Sequence, residues 1–459
     1  MKDVYLAYES EGLCTEQLQE LIDRCAANGG GQVRLTAGIY RTATLYLKSH
    51  VELFLDAGVV LRGSDHCQDY SNRCPHLRIL PEIPKWYDSL ITAVNEHDIR
   101  ISGEGMIDGV DCLNPDGEQG FRGPHAIFFY GCKDILLQGI SIVRSACYNL
   151  MFERCENITV TDIKLRGGQD GFRFGDCSHA IIDRCDIRTG DDCIGGSGNR
   201  DVQILNSMLN TPGGSTIMFS CVGLLVRNCR FWGTGYYPAV FSKDKRYSLN
   251  MVALMIGYDY GYDGHEPSDD WIIEDSVFEN VRCLLRTERE LYDKKCIPIR
   301  KIRFDRIRAA NLADPISIKG NGETDLTITD SHFHFTTADP EYLGGFLHAD
   351  GFQSVSLKHV SLEGCTEKVI QCQNGQSVHI SDVSVQKSVT SEDLSVDAVQ
   401  TAFVEYTEPE TLYTRYVEDG ITSLYIDKNA TEEFRGPMAY IRSACESADI
   451  LDPASKSGD

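Results

Sequence analysis

Apolar positions recur through the middle of the chain with a spacing of about 22 residues. Within each repeat apolar and polar residues alternate, as in residues 157–162, and this alternation predicts a β-strand. One series of positions that share a register is Ile142, Leu165, Ile187, Leu209 and Phe231. Short strands at a fixed spacing, with no helix between them, predict a parallel β-helix. In such a fold each repeat is one rung, and the recurring apolar side chains fill the interior.

The sequence also predicts how this β-helix begins. Residues 15–28 predict a helix, because Leu18, Ile22 and Cys25 share one face. Thr15 is the predicted N-cap residue, and the glycines at 29–31 end the helix. An open end of a solenoid exposes strand edges, so we expect this helix to cover the first rung.

We therefore predict a single all-β domain over residues 1–459. The cap helix covers 15–28 and the rungs cover 30–399. Residues 400–459 form a C-terminal cap or tail, because the register fades beyond about residue 400. The longer insertions are expected to be loops on one rim of the β-helix, and they lie at 66–90, 109–124, 234–270 and 284–298.

Composition narrows the class of partner. The 459 residues carry a net charge of −24, which disfavours nucleic acid and anionic membranes, because both require a basic surface. The chain has no apolar run of about 18 residues that would span a membrane, and its first residues do not resemble a secretory signal. We therefore expect a cytoplasmic protein in which the 18 cysteines are reduced and buried. A homo-oligomer is compatible with the sequence.

Three aspartates are predicted to meet on adjacent rungs. The positions five residues beyond the Ile142 series include Asp170 and Asp192, and Asp191 stands beside the second of them. Neighbouring strands lie about 4.8 Å apart, so the three carboxyl groups would crowd one another. Such crowding raises the pKa of at least one of them, and a protonated carboxyl beside an ionised one is what glycoside hydrolysis requires. The alternative is that these aspartates only cap backbone amides in turns.

The segments around these aspartates resemble the polygalacturonase (pectinase) family, glycoside hydrolase family 28. The motifs that carry the resemblance are Gln169-Asp170-Gly171, Gly190-Asp191-Asp192-Cys193, Arg122-Gly123-Pro124 and the glycine-rich segment 29–40. The resemblance implies a right-handed parallel β-helix and hydrolysis with inversion of galacturonic acid linkages in pectin-derived oligosaccharides. It also implies that Asp191 is the general acid and that Asp170 and Asp192 activate the attacking water.

Two elements of the family pattern are absent. The family's histidine one rung beyond the acid pair is replaced at Gly213, and its Arg-Ile-Lys triplet for the substrate carboxylate has no clean match. Lys243 and Arg246 are the candidates for that second role. Arg173 and Tyr236 are further candidates for binding the oligosaccharide. No cofactor and no metal are expected, since the cysteines follow the rung spacing and form no paired zinc motif.

Three functional hypotheses follow from these residues. The first is a hydrolase. A cytoplasmic enzyme would act on imported oligosaccharides, and the long insertions could close one end of the cleft, so we expect exo action. The second is a calcium-dependent polysaccharide lyase, because clustered aspartates also bind Ca²⁺. The third is a carbohydrate-binding relative without catalytic activity, to which the missing histidine and basic triplet would point.

Overall fold

The computed structural model describes most of the chain. The described residues are 3–7, 12–71, 86–212, 214–233, 235–237, 252–256, 266–287, 290–291, 294–320, 322–335, 345–365, 369–387, 394–397, 401–405, 414–416 and 423–427. Lys243 and Arg246, both predicted to bind substrate, lie outside these residues.

Nearly all of the regular structure is β-strand, and the strands are numbered here β1 to β40 in chain order. The first nine strands are Asp3–Ala7, Gly31–Leu35, Gly38–Thr42, Leu45–Tyr46, Val51–Leu55, Val59–Gly63, Ser89–Val94, His97–Gly103 and Met106–Asp108. Strands β10 to β22 are His125–Tyr130, Lys133–Gln138, Ser141–Val143, Leu150–Glu153, Glu156–Thr161, Lys164–Arg166, Phe172–Gly175, Ser178–Asp183, Asp186–Arg188, Ile194–Leu205, Met208–Asn210, Ser215–Arg227 and Arg230–Trp232. Strands β23 to β40 are Val252–Ile256, Asp269–Glu274, Val277–Glu279, Cys283–Arg286, Glu290–Leu291, Lys294–Lys295, Lys301–Asp305, Arg308–Leu312, Ile316–Lys319, Asp325–Phe335, Leu347–Asp350, Ser354–Cys365, Ile370–Gln373, Ser377–Lys387, Leu394–Asp397, Thr401–Glu405, Thr414–Tyr416 and Ser423–Asp427.

One α-helix, α1, covers Thr15–Ala27, and short 3₁₀ turns form at Cys67–Asp69 and Glu118–Gly120. The buried face of α1 consists of Leu18, Ile22 and Cys25, as predicted. The predicted N-cap is wrong by one position: Cys14 precedes the helix, and the Thr15 hydroxyl instead accepts a hydrogen bond from the Ala43 amide. Among the described residues no helix has the length and apolarity needed to cross a membrane.

The chain divides into two compact units. The first contains Met1–Leu224, Trp232–Leu249 and Asp259–His265, and the second contains Leu225–Phe231, Asn250–Tyr258 and Glu266–Asp459. The prediction of a single domain over 1–459 stays a prediction.

In the first unit, parallel strands from successive repeats pair in the predicted register. Ile142 pairs with Leu165, Leu165 with Ile187, and Ile187 with Leu209. All four side chains are fully buried. The predicted fold class, an all-β right-handed parallel β-helix with an N-terminal helix, is confirmed.

The second unit repeats the same construction over the downstream strands. Ile302, Leu326, Val355 and Val378 pair in turn and are buried. The pairing continues through β38 and β40, so the rungs extend past the predicted end at residue 399 as far as Asp427. The sequence did not predict these rungs, because little alternation of apolar and polar residues is recognisable beyond about residue 400.

Candidate active site

The three aspartates lie on two neighbouring turns of the first unit. Residues 167–171 follow strand β15 and residues 189–193 follow strand β18, and these two strands pair directly. The Asp191 amide donates to the Gln169 carbonyl at 2.7 Å, and the Gly171 amide donates to the Asp192 carbonyl at 2.9 Å. One oxygen from each aspartate lies within 4.8 Å of the others. The predicted alignment of Asp170, Asp191 and Asp192 is therefore present.

Two glycines leave room for this close packing of turns and carboxyl groups. A Cβ atom on Gly171 would stand 2.3 Å from the Cys193 carbonyl oxygen on the next rung. A Cβ atom on Gly214 would stand 2.9 Å from Asp192 Oδ1 and 3.0 Å from Asp191 Oδ1, and Gly214 has a φ of +71°. The Gln169-Asp170-Gly171 motif thus requires glycine at its third position for a steric reason.

The rung beyond the acid pair also contacts Asp192. The Ser215 amide and hydroxyl both donate to Asp192 Oδ1, at 2.8 Å and 3.0 Å. Gly213, where the family histidine would stand, lies outside the described residues. Gly214 and Ser215 are thus the described groups of that rung that touch the acid pair.

Arg122 joins two of the carboxylates from the preceding loop. Its Nη1 donates to Asp170 Oδ2, and its Nη2 donates to Asp191 Oδ2 at 3.1 Å. The guanidinium is buried, and its centre lies 5.6 Å from the ring of Tyr148. In the sequence Arg122 is recognisable only as part of a motif, because its separation from Asp170 along the chain conceals their contact. The available signal was an arginine shortly before a buried strand, β10, that lies two rungs before the strand that follows Asp170.

The environment makes two of the three carboxyls weak acids. Removal from water, with the nearby carboxylates of Asp170 and Asp192, holds the pKa of Asp191 well above its usual range, although Arg122 opposes this. Removal from water and the Asp170 carboxylate raise the pKa of Asp192 to about 7, although Ser215 opposes this. Asp170 carries the contact with Arg122 Nη1, and a guanidinium contact stabilises a carboxylate. The cluster thus places proton donors beside an ion-paired acceptor.

The same three aspartates could offer oxygen ligands to a cation. The guanidinium of Arg122 already lies against two of them, so a divalent ion would have to displace or oppose a fixed positive charge. His50, His97 and Asp98 form a second group with suitable spacing on the surface.

The remaining predicted site residues differ in their placement. Arg173 is 2% exposed, and its Nε donates to Glu153 Oε1 at 3.0 Å; that it binds the oligosaccharide stays a prediction. Because residues alternate along strand β16, Arg173 lies on the face opposite to Phe172 and Phe174, and it is nevertheless buried. Tyr236 is exposed, with its ring centre 5.0 Å from that of Tyr237.

Part of the chain, including the candidate site, is similar to a family of known proteins. Residues 75–217, which include all three aspartates, match the family described as glycosyl hydrolases family 28. A probable polygalacturonase of Vitis vinifera is 28% identical over 206 residues, which is 40% of this chain and 41% of that protein. An endo-polygalacturonase of Pectobacterium parmentieri is 25% identical over 239 residues, which is 46% of this chain and 59% of that protein. The chain thus spans about half the length of these relatives.

The fold also matches a solved structure. A hyperthermoactive exopolygalacturonase from Thermotoga maritima superposes with a TM-score of 0.57 at 16% sequence identity, covering 79% of this chain and 93% of that one. At this level of identity the likeness concerns the fold alone.

Proposed function

Starting from the match of residues 75–217 to glycoside hydrolase family 28, we propose that the protein is a glycoside hydrolase. Its proposed substrate is a pectin-derived oligosaccharide, from which it removes galacturonic acid or a related sugar. The observation that carries the proposal is the cluster of three carboxyls on adjacent rungs, two of them with raised pKa values. Activated water and a proton donor are the two requirements of glycoside hydrolysis, and this cluster can supply both.

The proposed mechanism assigns one role to each carboxyl. Asp191 holds a proton and gives it to the glycosidic oxygen as the bond to the anomeric carbon breaks. Asp170, which contacts Arg122 Nη1, accepts a proton from the water that attacks that carbon. Asp192 assists in holding the water, and its ability to accept a proton increases as the pH rises toward 7. Arg122 positions Asp170 and Asp191 relative to each other.

The proposed stereochemical outcome is inversion, which rests on the family resemblance. Inverting enzymes typically separate their carboxyls by about 6.5–9.5 Å and retaining enzymes by about 5 Å. The nearest oxygens here fall within 4.8 Å, which is closer to the second arrangement. Proton NMR of the first product formed tests the proposal directly: an anomer opposite to that of the substrate supports inversion, and the same anomer contradicts it.

We also propose exo action and a cytoplasmic location. The described cysteines are mostly buried and are not linked to one another by disulfides, which suits a reducing compartment. An enzyme in that compartment meets oligosaccharides rather than polymers. Product analysis on a defined oligogalacturonide should show release of single terminal units, and a ladder of internal fragments would contradict the exo proposal. Fractionation of the cells that make the protein tests its location.

The decisive experiment is turnover of defined oligogalacturonides by the purified protein. We expect new reducing ends, no dependence on Ca²⁺ and no product with the absorbance of an unsaturated uronide. Loss of activity with EDTA, together with that absorbance, would show a lyase. Binding without turnover would show a carbohydrate-binding protein.

A further inference from the structure

Arg188 lies against two aromatic rings near the aspartates. Its guanidinium carbon is 5.4 Å from the centre of the Trp232 ring and 4.9 Å from the centre of the Tyr236 ring. Tyr237 packs edge-on against Tyr236. Aromatic faces attract a guanidinium and restrict the orientation of its plane. Arg188 is thus held in one orientation on a surface where Tyr236 remains more than half exposed.

A single carboxylate holds Arg188 and a second arginine together. Asp186 accepts from Arg188 Nε and Nη2, both at 3.0 Å, and also from Arg166 Nη2. Arg166 Nη1 donates to the carbonyls of Leu165 and Asp186, each at 2.8 Å. Two guanidinium groups therefore share one carboxylate, and this group of three carries one unit of excess positive charge. This local positive excess is opposite in sign to the net charge of −24 of the whole chain.

This group stands at the entrance to the catalytic turns. Arg166 and Arg188 pair on adjacent strands, and each is the last residue of the strand that leads to Asp170 or Asp191. Asn210 continues the same position on the next strand. It accepts from the Tyr236 amide at 2.6 Å and donates to the Trp232 carbonyl at 2.6 Å, so it fixes the segment that carries both rings.

The positive charge of this group can offset the electrostatic repulsion between the catalytic cluster and an acidic substrate. As the pH rises toward 7 Asp192 ionises, and the negative charge that the cluster gains repels the carboxylate of a uronic acid. A neighbouring positive excess offsets that repulsion. An arginine with a fixed plane also offers parallel N–H groups that match a carboxylate, and an exposed aromatic face suits the apolar face of a sugar ring.

We propose that Arg188, supported by Asp186, Arg166 and Trp232, binds the carboxylate of a uronic acid unit whose ring packs on Tyr236. This subsite would take the place of the basic triplet that the sequence lacks, and it consists entirely of described residues. The inference rests on the proposed function for its substrate class. It concerns binding and assigns Arg188 no part in the proton transfers.

The kinetic test compares an acidic substrate with its neutral counterpart. Arg188→Gln should raise KM for an oligogalacturonide by about 10-fold or more, the effect of losing a charged hydrogen bond, and leave KM for the methyl-esterified oligomer unchanged. Arg184→Gln is the matched control, because Arg184 is an exposed arginine of the same rung that pairs with Asp162. Tyr236→Ala removes an exposed ring and should raise KM for both substrates, which tests the subsite even if Arg188→Gln folds poorly.

A binding measurement separates this inference from the proposed function. Calorimetric titration with digalacturonate should show binding to the wild type and weakened binding to Arg188→Gln. If the wild type cleaves nothing but binds digalacturonate through Arg188, the hydrolase proposal fails and the subsite is supported. If the wild type cleaves neutral oligosaccharides and ignores uronides, the subsite is rejected and the hydrolase stands. Wild-type KM and affinity in Arg188→Gln also reject the subsite.

Discussion

At the scale of single residues, the corners of the rungs require an unusual backbone. Asp134, Asn157, His179 and Asp201 occupy equivalent corners, and all have φ values between 52° and 58°. Each falls between positions that pair with the neighbouring rungs. Asn, Asp and His tolerate the left-handed region better than most residues, so the sequence shows polar residues at these intervals. The backbone conformation is therefore sufficient to explain the polar residues at these corners, without a functional role.

The role of Asp191 is tested by Asp191→Asn. The variant should fold normally and lose about 10²–10⁴-fold in kcat, the usual contribution of a general acid. A substrate with a good leaving group should recover part of the loss, because it needs less protonation. Asp201→Asn, at an exposed corner of the same unit, is the control and should retain full activity. Wild-type kcat in Asp191→Asn would contradict the assignment.

Arg122 should set the upper limit of the pH–rate profile. Its charge lowers the pKa of Asp191, so its removal should raise that pKa further and move the basic limb of the profile to higher pH. We expect Arg122→Gln to lose about 10²-fold or more in kcat, since the mutual placement of Asp170 and Asp191 is also lost. Arg122→Lys keeps the charge and should keep the limb closer to that of the wild type. An unshifted limb in Arg122→Gln would refute the electrostatic role.

The raised carboxyl pKa values also predict how stability depends on pH. Asp192 has a pKa of about 7 in the folded protein against an ordinary 3.8, so between these values the folded state binds more protons than the unfolded state. Stability due to this group is therefore complete below pH 3.8 and is lost as the pH rises through about 7. Asp192→Asn should flatten the decline by at most about 1.4 kcal/mol per pH unit. Urea unfolding across this interval, with Asp201→Asn alongside, measures it, and equal slopes in all three proteins would refute it.

Gly214 offers a steric test of the same site. Gly214→Ala places a methyl group against Asp191 and Asp192 at a positive φ, so the carboxyls or the turn must move. We expect about 10²-fold lower kcat, because displacements near 1 Å already have effects of that size. Gly12→Ala, where a Cβ meets no atom within 4 Å, is the control for the cost of positive φ alone. Equal activity in both variants would show that Gly214 is not needed for the site.

At the scale of elements, the interior ladders determine the stability of the rungs. Leu209 is fully buried and pairs with Ile187, whereas the adjacent Met208 is 38% exposed. Leu209→Ala should cost about 2–5 kcal/mol in the free energy of unfolding, from lost burial and the remaining cavity. Met208→Ala removes a side chain of similar size from the outer face and should cost far less. Denaturant unfolding of the two variants compares them, and equal costs would contradict the importance of the ladder.

The repeat spacing made most strands predictable, and features that do not follow this spacing could not be predicted from it. Periodicity fixes which positions pair, so the ladder through Leu165 and the alignment of Asp170 with Asp192 could be derived without a structure. Strand β1 and the contact of Arg122 with the aspartates could not, because neither follows the repeat. The burial of Arg173 could not have been found by counting along its strand, because alternation places it opposite Phe172 and Phe174 and yet all three are buried.

At the scale of the whole molecule, the reactivity of the cysteine thiols reports which parts of the folded chain are buried. Among the described cysteines Cys67 is the one that is not buried. Burial raises the pKa of Cys185 and of Cys193 to about 12, so few such thiols are reactive near neutral pH. A thiol reagent should therefore modify Cys67 at least about 10-fold faster than these interior cysteines, and all 18 should react in denaturant. Cys67→Ser should remove one fast-reacting thiol. Rapid modification of the interior cysteines in the native protein would contradict the fold described here.

The placement of the aspartates on adjacent rungs has a consequence for how such a site can evolve. The separation between Asp170 and its partners on the next turn is fixed by one strand spacing, because each rung supplies its own carboxyls. Duplication of one repeat between them would keep every ladder in register and yet move the carboxyls to about twice 4.8 Å apart. That distance reaches the range of about 6.5–9.5 Å in which a water fits between acid and base. In a repeat protein of this kind, a gain or loss of one whole repeat can therefore change the distance between acid and base without redesign of any single side chain.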